Sequence, residues 1–272
     1  MGTLDGKVAI VSGSGRGIGR EIALKLASQG AKVVINDLDE APANETLAAI
    51  VAAGGDAVAC VGNVTHEDFG DRFVAAAVDR FGGLDIIVNN AGYTWDSVIQ
   101  KMTDDQFDAI IDVHLKAPFR ILRAAQPVIS RLSKAEGNSV CRKVVNISSI
   151  AGLGGNAGQV NYASAKAGVI GLTKTLAKEW GRYNVTVNAV AFGFIKTRLT
   201  EVGAEQDAHI EVDGNSIKVG MSKELLAMTE QMIPLGRAGT PTDAAGAVYL
   251  MCLPESDYIS AQTIVCGGGF FI

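Results

Sequence analysis

The stretch "SGSGRGIG", residues 12–19, decides the fold of this chain. It follows a short β-branched run, "KVAIVS", and opens a segment with helix periodicity, "GREIALKLASQG". Glycines 13, 17 and 19 allow a tight turn, close approach of a pyrophosphate to backbone N–H groups, and close packing of a helix whose N-terminus favours negative charge. Because the glycines lie between a strand and a helix, they predict a dinucleotide-binding loop.

Further β-branched runs follow, separated by longer stretches with helix periodicity. Near-continuous apolar strands are buried on both faces, which indicates a parallel sheet covered by helices. We therefore predict one α/β domain over residues 1–272, a Rossmann-type doubly wound fold with a mostly parallel, seven-stranded sheet and helices on both faces. The predicted strands lie at 7–12, 32–37, 57–62, 84–90, 143–148, 185–191 and 262–266.

Two segments carry more specific local signals. A long helix should open on Thr103, with acidic residues in its first turn, and Pro118 and Pro127 should kink or interrupt it. The alternation of apolar residues on either side of Asp213-Gly214-Asn215 predicts a small hairpin over 208–220.

Composition excludes several classes of protein. The formal net charge of -5 gives no broad attraction for nucleic acid or anionic lipid, so we expect neither as a partner. No apolar run approaches the roughly 20 residues of a membrane span, and glycines stand where a signal peptide would have its apolar core, so a cytoplasmic location is expected. The four cysteines are far apart and form no C-x-x-C pair, which predicts buried apolar residues and neither a metal site nor a disulfide.

The choice between NAD and NADP depends on two charged residues. Asp37 closes the second predicted strand about 20 residues after the loop, where a carboxylate can bind ribose hydroxyls and repel a 2′-phosphate. Arg16 acts in the opposite direction, because a guanidinium near the ribose could accept that phosphate. The balance favours NAD and leaves NADP open, while Asp37 could also be a simple turn residue.

"YASAK" places Tyr162 and Lys166 four residues apart, on one face of a helix. A phenol with a pKa near 10 must approach 7 to act as a base, a change of roughly 4 kcal/mol. One ammonium at about 4 Å contributes about that much at an effective dielectric constant near 20. The spacing alone occurs by chance in many helices, so its weight depends on the other motifs.

Four motifs occur in the same order as in a known family: "NNAG" (89–92), "NISS" (146–149), "YASAK" (162–166) and "GFIKT" (193–197). Together with the G-x-x-x-G-x-G loop, in which Ser12 replaces the usual threonine, the chain resembles the short-chain dehydrogenase/reductase family over nearly its whole length. The segment "GGNAGQVNYASAKAGVIGLTKTLAKE" looks similar to the branch that reduces 3-oxoacyl carrier-protein thioesters.

The resemblance implies a role for each matching residue. Tyr162 would donate and accept the proton, Lys166 would lower its pKa and bind the nicotinamide ribose, and Ser149 would stabilise charge on the substrate oxygen. Asn63, which replaces the family's aspartate, would hold adenine together with Val64. The predicted cofactor-binding residues are Gly13, Ser14, Arg16, Gly17, Ile18, Gly19, Asp37, Asn63, Val64, Asn90, Ala91, Gly92, Tyr162, Lys166, Gly193, Ile195 and Thr197.

Two residues depart from the family pattern. His114 stands where an asparagine holds a water that links the active-site lysine to solvent, and it is either a substitute proton relay or a space-filling helix residue. Phe192 replaces the proline before Gly193 and adds a bulky ring near the nicotinamide end, which leaves the loop geometry open. Residues 198–233 align with the family's substrate lid, and their extra hairpin either caps the pocket or decorates the surface.

Taken together, these features predict hydride transfer between a nicotinamide cofactor and a ketone or secondary alcohol. The resemblance favours a 3-oxoacyl thioester as substrate, whereas Asp37 favours an NAD-dependent 3-hydroxyacyl or other alcohol dehydrogenase. The departures at 114 and 192 keep a catalytically idle nucleotide-binding protein as a third interpretation. By resemblance the protein is a homotetramer, built through the helices at 104–133 and 160–180 and through the C-terminal strand.

Overall fold

The computed structural model describes residues 2–197, 209–212, 215–218 and 223–270, which alternate between strands and helices. The strands are β1 (Val8–Val11), β2 (Lys32–Ile35), β3 (Ala57–Ala59), β4 (Ile86–Asn89), β5 (Arg142–Ser149), β6 (Val185–Phe192), β7 (His209–Val212), β8 (Asn215–Lys218) and β9 (Thr263–Cys266). The α-helices are α1 (Gly17–Ser28), α2 (Glu40–Ala52), α3 (Phe69–Phe81), α4 (Asp104–Ile111), α5 (Ala117–Ala135), α6 (Ala151–Gly154), α7 (Val160–Trp180), α8 (Lys223–Met232) and α9 (Pro241–Leu250).

Seven strands form one parallel sheet in the order β3-β2-β1-β4-β5-β6-β9. The predicted Rossmann-type α/β domain is therefore confirmed, with every predicted strand present. The strand order reverses between β1 and β4, and in parallel sheets of this kind ligands bind outside the carboxyl ends of the strands at that reversal. The glycine loop leaves β1 at this edge.

Helices cover the sheet on both faces because each central strand is apolar on both sides. In β1, Ala9 and Val11 belong to the core layer that contains residues of α1 and α9, while Val8 and Ile10 belong to the layer that contains residues of α3 and α5. All four side chains are at most 3 % exposed. This double burial produces the continuous apolar run seen in the sequence.

A row of buried polar side chains joins the middle of the sheet to α7. Asn89 in β4 donates from Nδ2 to Oδ1 of Asn146 in β5 at 2.8 Å, and Asn146 donates from Nδ2 to Oγ1 of Thr173 in α7 at 2.9 Å. Thr173 then donates to the carbonyl of Val169 at 2.8 Å. Since buried polar groups must be paired, the row fixes how β4, β5 and α7 pack together.

The helical segment after residue 103 begins as predicted, and it is interrupted just before Pro118 but not at Pro127. Thr103 caps α4 through a reciprocal pair of hydrogen bonds with Gln106. The interruption is a π-helical turn, Asp112–Lys116, whereas α5 continues through Pro127. Pro127 is exposed and lies inside α5, so the prediction that it would interrupt the helix is wrong.

The predicted hairpin is present. β7 and β8 pair antiparallel, and Ile217 is buried, while the turn residues 213 and 214 and much of the predicted lid lie outside the described residues. The lid role stays a prediction.

The described residues include no disulfide, and all four cysteines are among them. The four cysteines are free, with Cys60 and Cys252 buried and Cys141 and Cys266 half-buried. No group of three or more His, Cys, Asp or Glu side chains among these residues could hold a metal ion. Within the same part of the chain, no helix is long and apolar enough to cross a membrane.

Candidate active site

The glycine loop makes its turn at the carboxyl end of β1, and three of its glycines are required by close approaches. A Cβ on Gly13, whose φ is +62°, would lie 2.7 Å from Cα of Ala91. A Cβ on Gly19 would lie 2.0 Å from the carbonyl oxygen of Gly13, and one on Gly15 would lie 2.5 Å from a carboxylate oxygen of Asp37. A larger residue would have to displace backbone at Gly13 and Gly19, and the side chain of Asp37 at Gly15, so glycine is favoured at all three positions.

The loop is tied to the segment after β4 through one hydroxyl. Oγ of Ser12 accepts hydrogen bonds from the backbone N–H groups of Asn90 at 3.0 Å and Ala91 at 3.1 Å. The Asn90 side chain in turn donates to the carbonyls of Ser12 and Gly13. Ser12 therefore supplies the hydroxyl that threonine supplies in the related loop, and the two predicted cofactor segments are brought together.

Asn36 also holds the loop, although the sequence analysis did not identify it. It is buried, its Oδ1 accepts from the N–H of Gly13 at 3.0 Å, and its Nδ2 donates to the carbonyls of Cys60 and Gly62. It thus joins the ends of three neighbouring strands. Its position, one residue before the predicted ribose-binding Asp37, was the only feature of the sequence that pointed to it.

Two acidic residues follow β2 beside the loop, and Arg16 forms an ion pair with one of them. Nη2 of Arg16, the residue before α1, lies 2.5 Å from Oδ2 of Asp39, and both side chains are exposed. Asp37 follows β2 and accepts from the backbone N–H of Asp39 at 3.1 Å. The guanidinium is therefore directed to a carboxylate, and its side chain does not cap α1.

The remaining predicted cofactor residues line the same edge of the sheet. Oδ1 of Asn63 accepts from the backbone and hydroxyl of Thr65 at 2.9 Å, which orders the turn after β3. A Cβ on Gly193 would lie 2.7 Å from Cα of Gly267, so glycine is required there as well. Ile195 pairs with Gly239 in an isolated bridge. The other positions on this edge are Ser14, Gly17, Ile18, Val64, Gly92 and Thr197.

Phe192 does not project into the opening beyond β6. It is the last residue of that strand, 7 % exposed, and its ring belongs to the core layer on the α1 side of the sheet. Its carbonyl accepts from the N–H of Ile150 at 3.0 Å, which ties β6 to the segment that follows Ser149.

The predicted catalytic residues meet where β5 ends beside the start of α7. Ser149 is the last residue of β5, and its hydroxyl lies close enough to that of Tyr162 to favour the ionised phenol. Lys166 is 3 % exposed, donates from Nζ to the carbonyl of Ile147 at 2.7 Å, and lies 5.5 Å from the centre of the Tyr162 ring. Serine, tyrosine and lysine thus form one cluster within reach of the glycine loop edge.

Burial dominates the titration of this cluster. It raises the pKa of Tyr162 to about 12, while the hydrogen bond from Ser149 acts in the lowering direction and the charge of Asp96 acts in the raising direction. Burial also lowers the pKa of Lys166 to about 7. The sequence argument that one ammonium brings the phenol towards neutrality therefore fails for the protein alone, because desolvation penalises both charged forms.

His114 lies in the same cluster. It is in the π-helical turn between α4 and α5, is 4 % exposed, and meets Tyr162 in a T-shaped contact with ring centres 5.0 Å apart. Burial, reinforced by the charge of Lys166, holds the pKa of His114 well below its usual value. The imidazole is therefore neutral near pH 7.

Two polar residues near Tyr162 were not predicted. Asp96 accepts a hydrogen bond from Nε2 of Gln159 at 2.7 Å, and burial raises the pKa of its carboxyl. Asn161 donates to the carbonyls of Trp95 and Gln106 and fixes the start of α7. In the sequence, only their closeness to the recognised motifs pointed to these residues, because their hydrogen-bond partners lie 55 to 66 residues away in the chain.

Comparisons with known proteins cover almost the whole chain. A family model described as enoyl-(acyl carrier protein) reductase matches residues 13–271. A 3-oxoacyl-[acyl-carrier-protein] reductase of Synechocystis sp. is 39% identical over 271 residues, covering 99% of this chain and 98% of that protein. Reductases with the same description from Vibrio cholerae and Thermotoga maritima are each 36% identical over 269 residues, covering 99% of both chains.

Proposed function

The chain belongs to the short-chain dehydrogenase/reductase family, and on that premise we propose that it is an NAD-preferring reductase of 3-oxoacyl thioesters. The observation that carries the proposal is the meeting of Ser149, Tyr162 and Lys166 in one buried cluster, at the sheet edge that the glycine loop also reaches. The substrate class follows the names of the relatives from Synechocystis and Vibrio cholerae.

The residues around the loop fit a dinucleotide. Gly13 and Gly19 let the loop pack closely against Ala91 and against its own backbone, and a Cβ at Gly17 would meet no atom within 4 Å. Helix α1 points its N-terminus at this edge without a cap from the Arg16 side chain. When bound, the nicotinamide cofactor supplies or accepts the hydride. Tyr162 and Lys166, together with the loop residues named above, would hold it.

In the reductive direction the side chains have separate tasks. Ser149 and Tyr162 place two hydroxyls close together, and these would donate to the carbonyl oxygen of the substrate and stabilise its developing charge. Tyr162 is protonated at neutral pH, so it can give that oxygen its proton. Lys166, with a pKa of about 7, exchanges a proton readily at physiological pH and would restore the phenol.

The cofactor preference rests on charge. Arg16 is paired with Asp39, and Asp37 adds a second carboxylate beside the place where a 2′-phosphate would lie. This favours NAD over NADP. The same charges support the second candidate, an NAD-dependent 3-hydroxyacyl or other secondary-alcohol dehydrogenase working in the oxidative direction.

A turnover assay separates the candidates. Acetoacetyl thioesters of carrier protein and coenzyme A are offered with NADH and with NADPH, and 3-hydroxyacyl thioesters and simple secondary alcohols are offered with NAD. Faster reduction of 3-oxoacyl thioesters, with NADH preferred, supports the proposal. Turnover confined to alcohols supports the second candidate, whereas NADH binding without any turnover supports the idle nucleotide-binding protein.

The homotetramer, the cytoplasmic location and the lid over 198–233 stay predictions. Sedimentation of the purified protein tests the first of these directly.

A further inference from the structure

His114 is a buried titratable group in the catalytic cluster to which the proposed chemistry gives no task. Its ring nitrogen Nε2 lies 2.6 Å from the carbonyl oxygen of Tyr93, in the segment after β4. A carbonyl can only accept, so Nε2 must carry the hydrogen and donate it. The contact therefore fixes the tautomer of the imidazole.

The fixed tautomer restricts what the ring can do with protons. Transfer through the ring would bring a proton to Nδ1 and release one from Nε2, but the Tyr93 carbonyl that faces Nε2 cannot take it. Protonating Nδ1 without release would make an imidazolium in a buried position beside Lys166. Both routes are closed by the surroundings of the ring.

The charged and titratable groups facing the ring come from the catalytic helix. Lys166 acts on it electrostatically and Tyr162 packs against it edge to face, while Asp112 and Lys116 of the same π-helical turn are half-exposed and paired with each other at 3.0 Å. No acid among the described residues forms an ion pair with His114 or raises its pKa. The hydrogen bond to the Tyr93 carbonyl favours the charged ring, but burial and the charge of Lys166 outweigh it.

The ring also has a fitted place beside the cofactor segment. A Cβ on Gly92 would lie 1.9 Å from Cε1 of His114, so the imidazole occupies the space that glycine leaves. Its Nδ1 is buried and has no hydrogen-bond partner among the described residues, and it remains an acceptor. The ring thus touches the segment after β4 on one side and the catalytic tyrosine on the other.

From this geometry we propose that His114 is a positioning residue: as a neutral Nε2–H imidazole it fastens the segment after β4 to the π-helical turn and holds the Tyr162 ring in place. It does not carry the proton. The proposal rests on the proposed function for the role of Tyr162, but the state of the ring is independent of turnover.

Two substitutions separate positioning from proton relay. His114→Gln keeps an N–H donor for the Tyr93 carbonyl but cannot titrate, whereas His114→Phe keeps a ring against Tyr162 and loses the donor. We expect His114→Phe to lower kcat by about 10- to 100-fold, because small displacements of a catalytic group are costly, and to leave the Kd for NADH within about threefold. His114→Gln should recover most of that loss with an unchanged pH profile.

A relay makes the opposite prediction. If His114→Gln is as impaired as His114→Phe and loses a limb of the pH profile near neutrality, the positioning role is overturned. The exposed His66, changed to glutamine, is the matched control for removing a histidine.

The state of the ring is measured without substrate. In ¹⁵N-histidine-labelled protein, with His114 signals assigned by their absence in His114→Gln, Nε2 should remain protonated and Nδ1 unprotonated from pH 5.5 to 8. An imidazolium or an Nδ1–H tautomer in that range overturns the proposal, even if the reductase activity is found. Failure of the reductase assay with this signature present would refute the proposed function alone.

Discussion

Arg16 and Asp39 form a 2.5 Å ion pair beside the glycine loop, so the cation that could accept a 2′-phosphate is already paired with a carboxylate. We expect Asp39→Ser to release Arg16 and to shift the ratio of NADPH to NADH affinities towards NADPH by about fivefold, roughly 1 kcal/mol. Fluorescence titration of both nucleotides measures this ratio. Asp68→Ser, which breaks the exposed contact with Arg72, is the control and should leave it unchanged. An unchanged ratio in Asp39→Ser would assign the preference to Asp37 alone.

Replacing Tyr162 by phenylalanine removes the proposed proton donor and preserves the ring that packs against His114. Turnover should fall by about 10²- to 10⁴-fold, the usual contribution of a positioned acid, while NADH binding stays close to that of the unchanged protein. Steady-state kinetics and direct titration measure the two effects. Tyr258→Phe alters a fully exposed tyrosine and serves as the control. Full activity in the Tyr162 variant would contradict the assignment.

The carboxylate of Asp96 favours the protonated phenol of Tyr162, since its charge raises the pKa of that group. Asp96→Asn should therefore lower the pKa of Tyr162, and the alkaline limb of the reduction rate should move to lower pH. The pH profile of kcat/KM reports this limb for the free enzyme. Asp105→Asn, an exposed change at the start of α4, should leave the limb in place. A limb that moves to higher pH would show that the charge of Asp96 acts elsewhere.

Lys166 makes stability depend on pH in a defined direction. Its pKa is about 7 in the folded protein and 10.5 when exposed, so the unfolded chain binds up to one more proton between these values. The cost of burying the charged lysine is complete below pH 7 and decreases as pH rises. Between the two pKa values, the free energy of unfolding therefore increases by up to about 1.4 kcal/mol per pH unit.

Lys166→Met should remove that contribution. Urea unfolding at pH 7.5 and 8.5, below the range where tyrosine titrates in the unfolded chain, compares the two slopes. Lys174→Met, at an exposed position in the same helix, should retain the original slope. Equal slopes for Lys166→Met and the unchanged protein would mean that Lys166 remains charged when folded.

The strands and the glycine loop were predictable because local sequence determines them. Each predicted strand contains or overlaps the observed one, since parallel strands buried on both faces read as continuous apolar runs, and Thr103 carried the full signature of a helix cap. The catalytic cluster was predictable because Tyr162 and Lys166 share one helical face.

The features that were missed depend on neighbours distant in the chain. Asn36 donates to a carbonyl beside the next strand, and Asp96 accepts a hydrogen bond from an amide 63 residues later in the chain. A break near Pro118 was predicted, but its π-helical form over 112–116 was not, and Pro127 lies on an exposed face of α5 without interrupting it. The pKa of Tyr162 was misjudged because desolvation is a property of the assembled fold.

The polar row from Asn89 through Asn146 to Thr173 also limits which amino-acid substitutions this chain can accept during evolution. An apolar residue at any one of the three positions would leave its neighbour's polar atom buried and unpaired, at about 1–3 kcal/mol. A single substitution there lowers the stability of the protein, whereas replacing two hydrogen-bonding partners together need not. The row should therefore drift only by coordinated replacement, so variants that alter two of these positions together are the ones to seek among natural sequences.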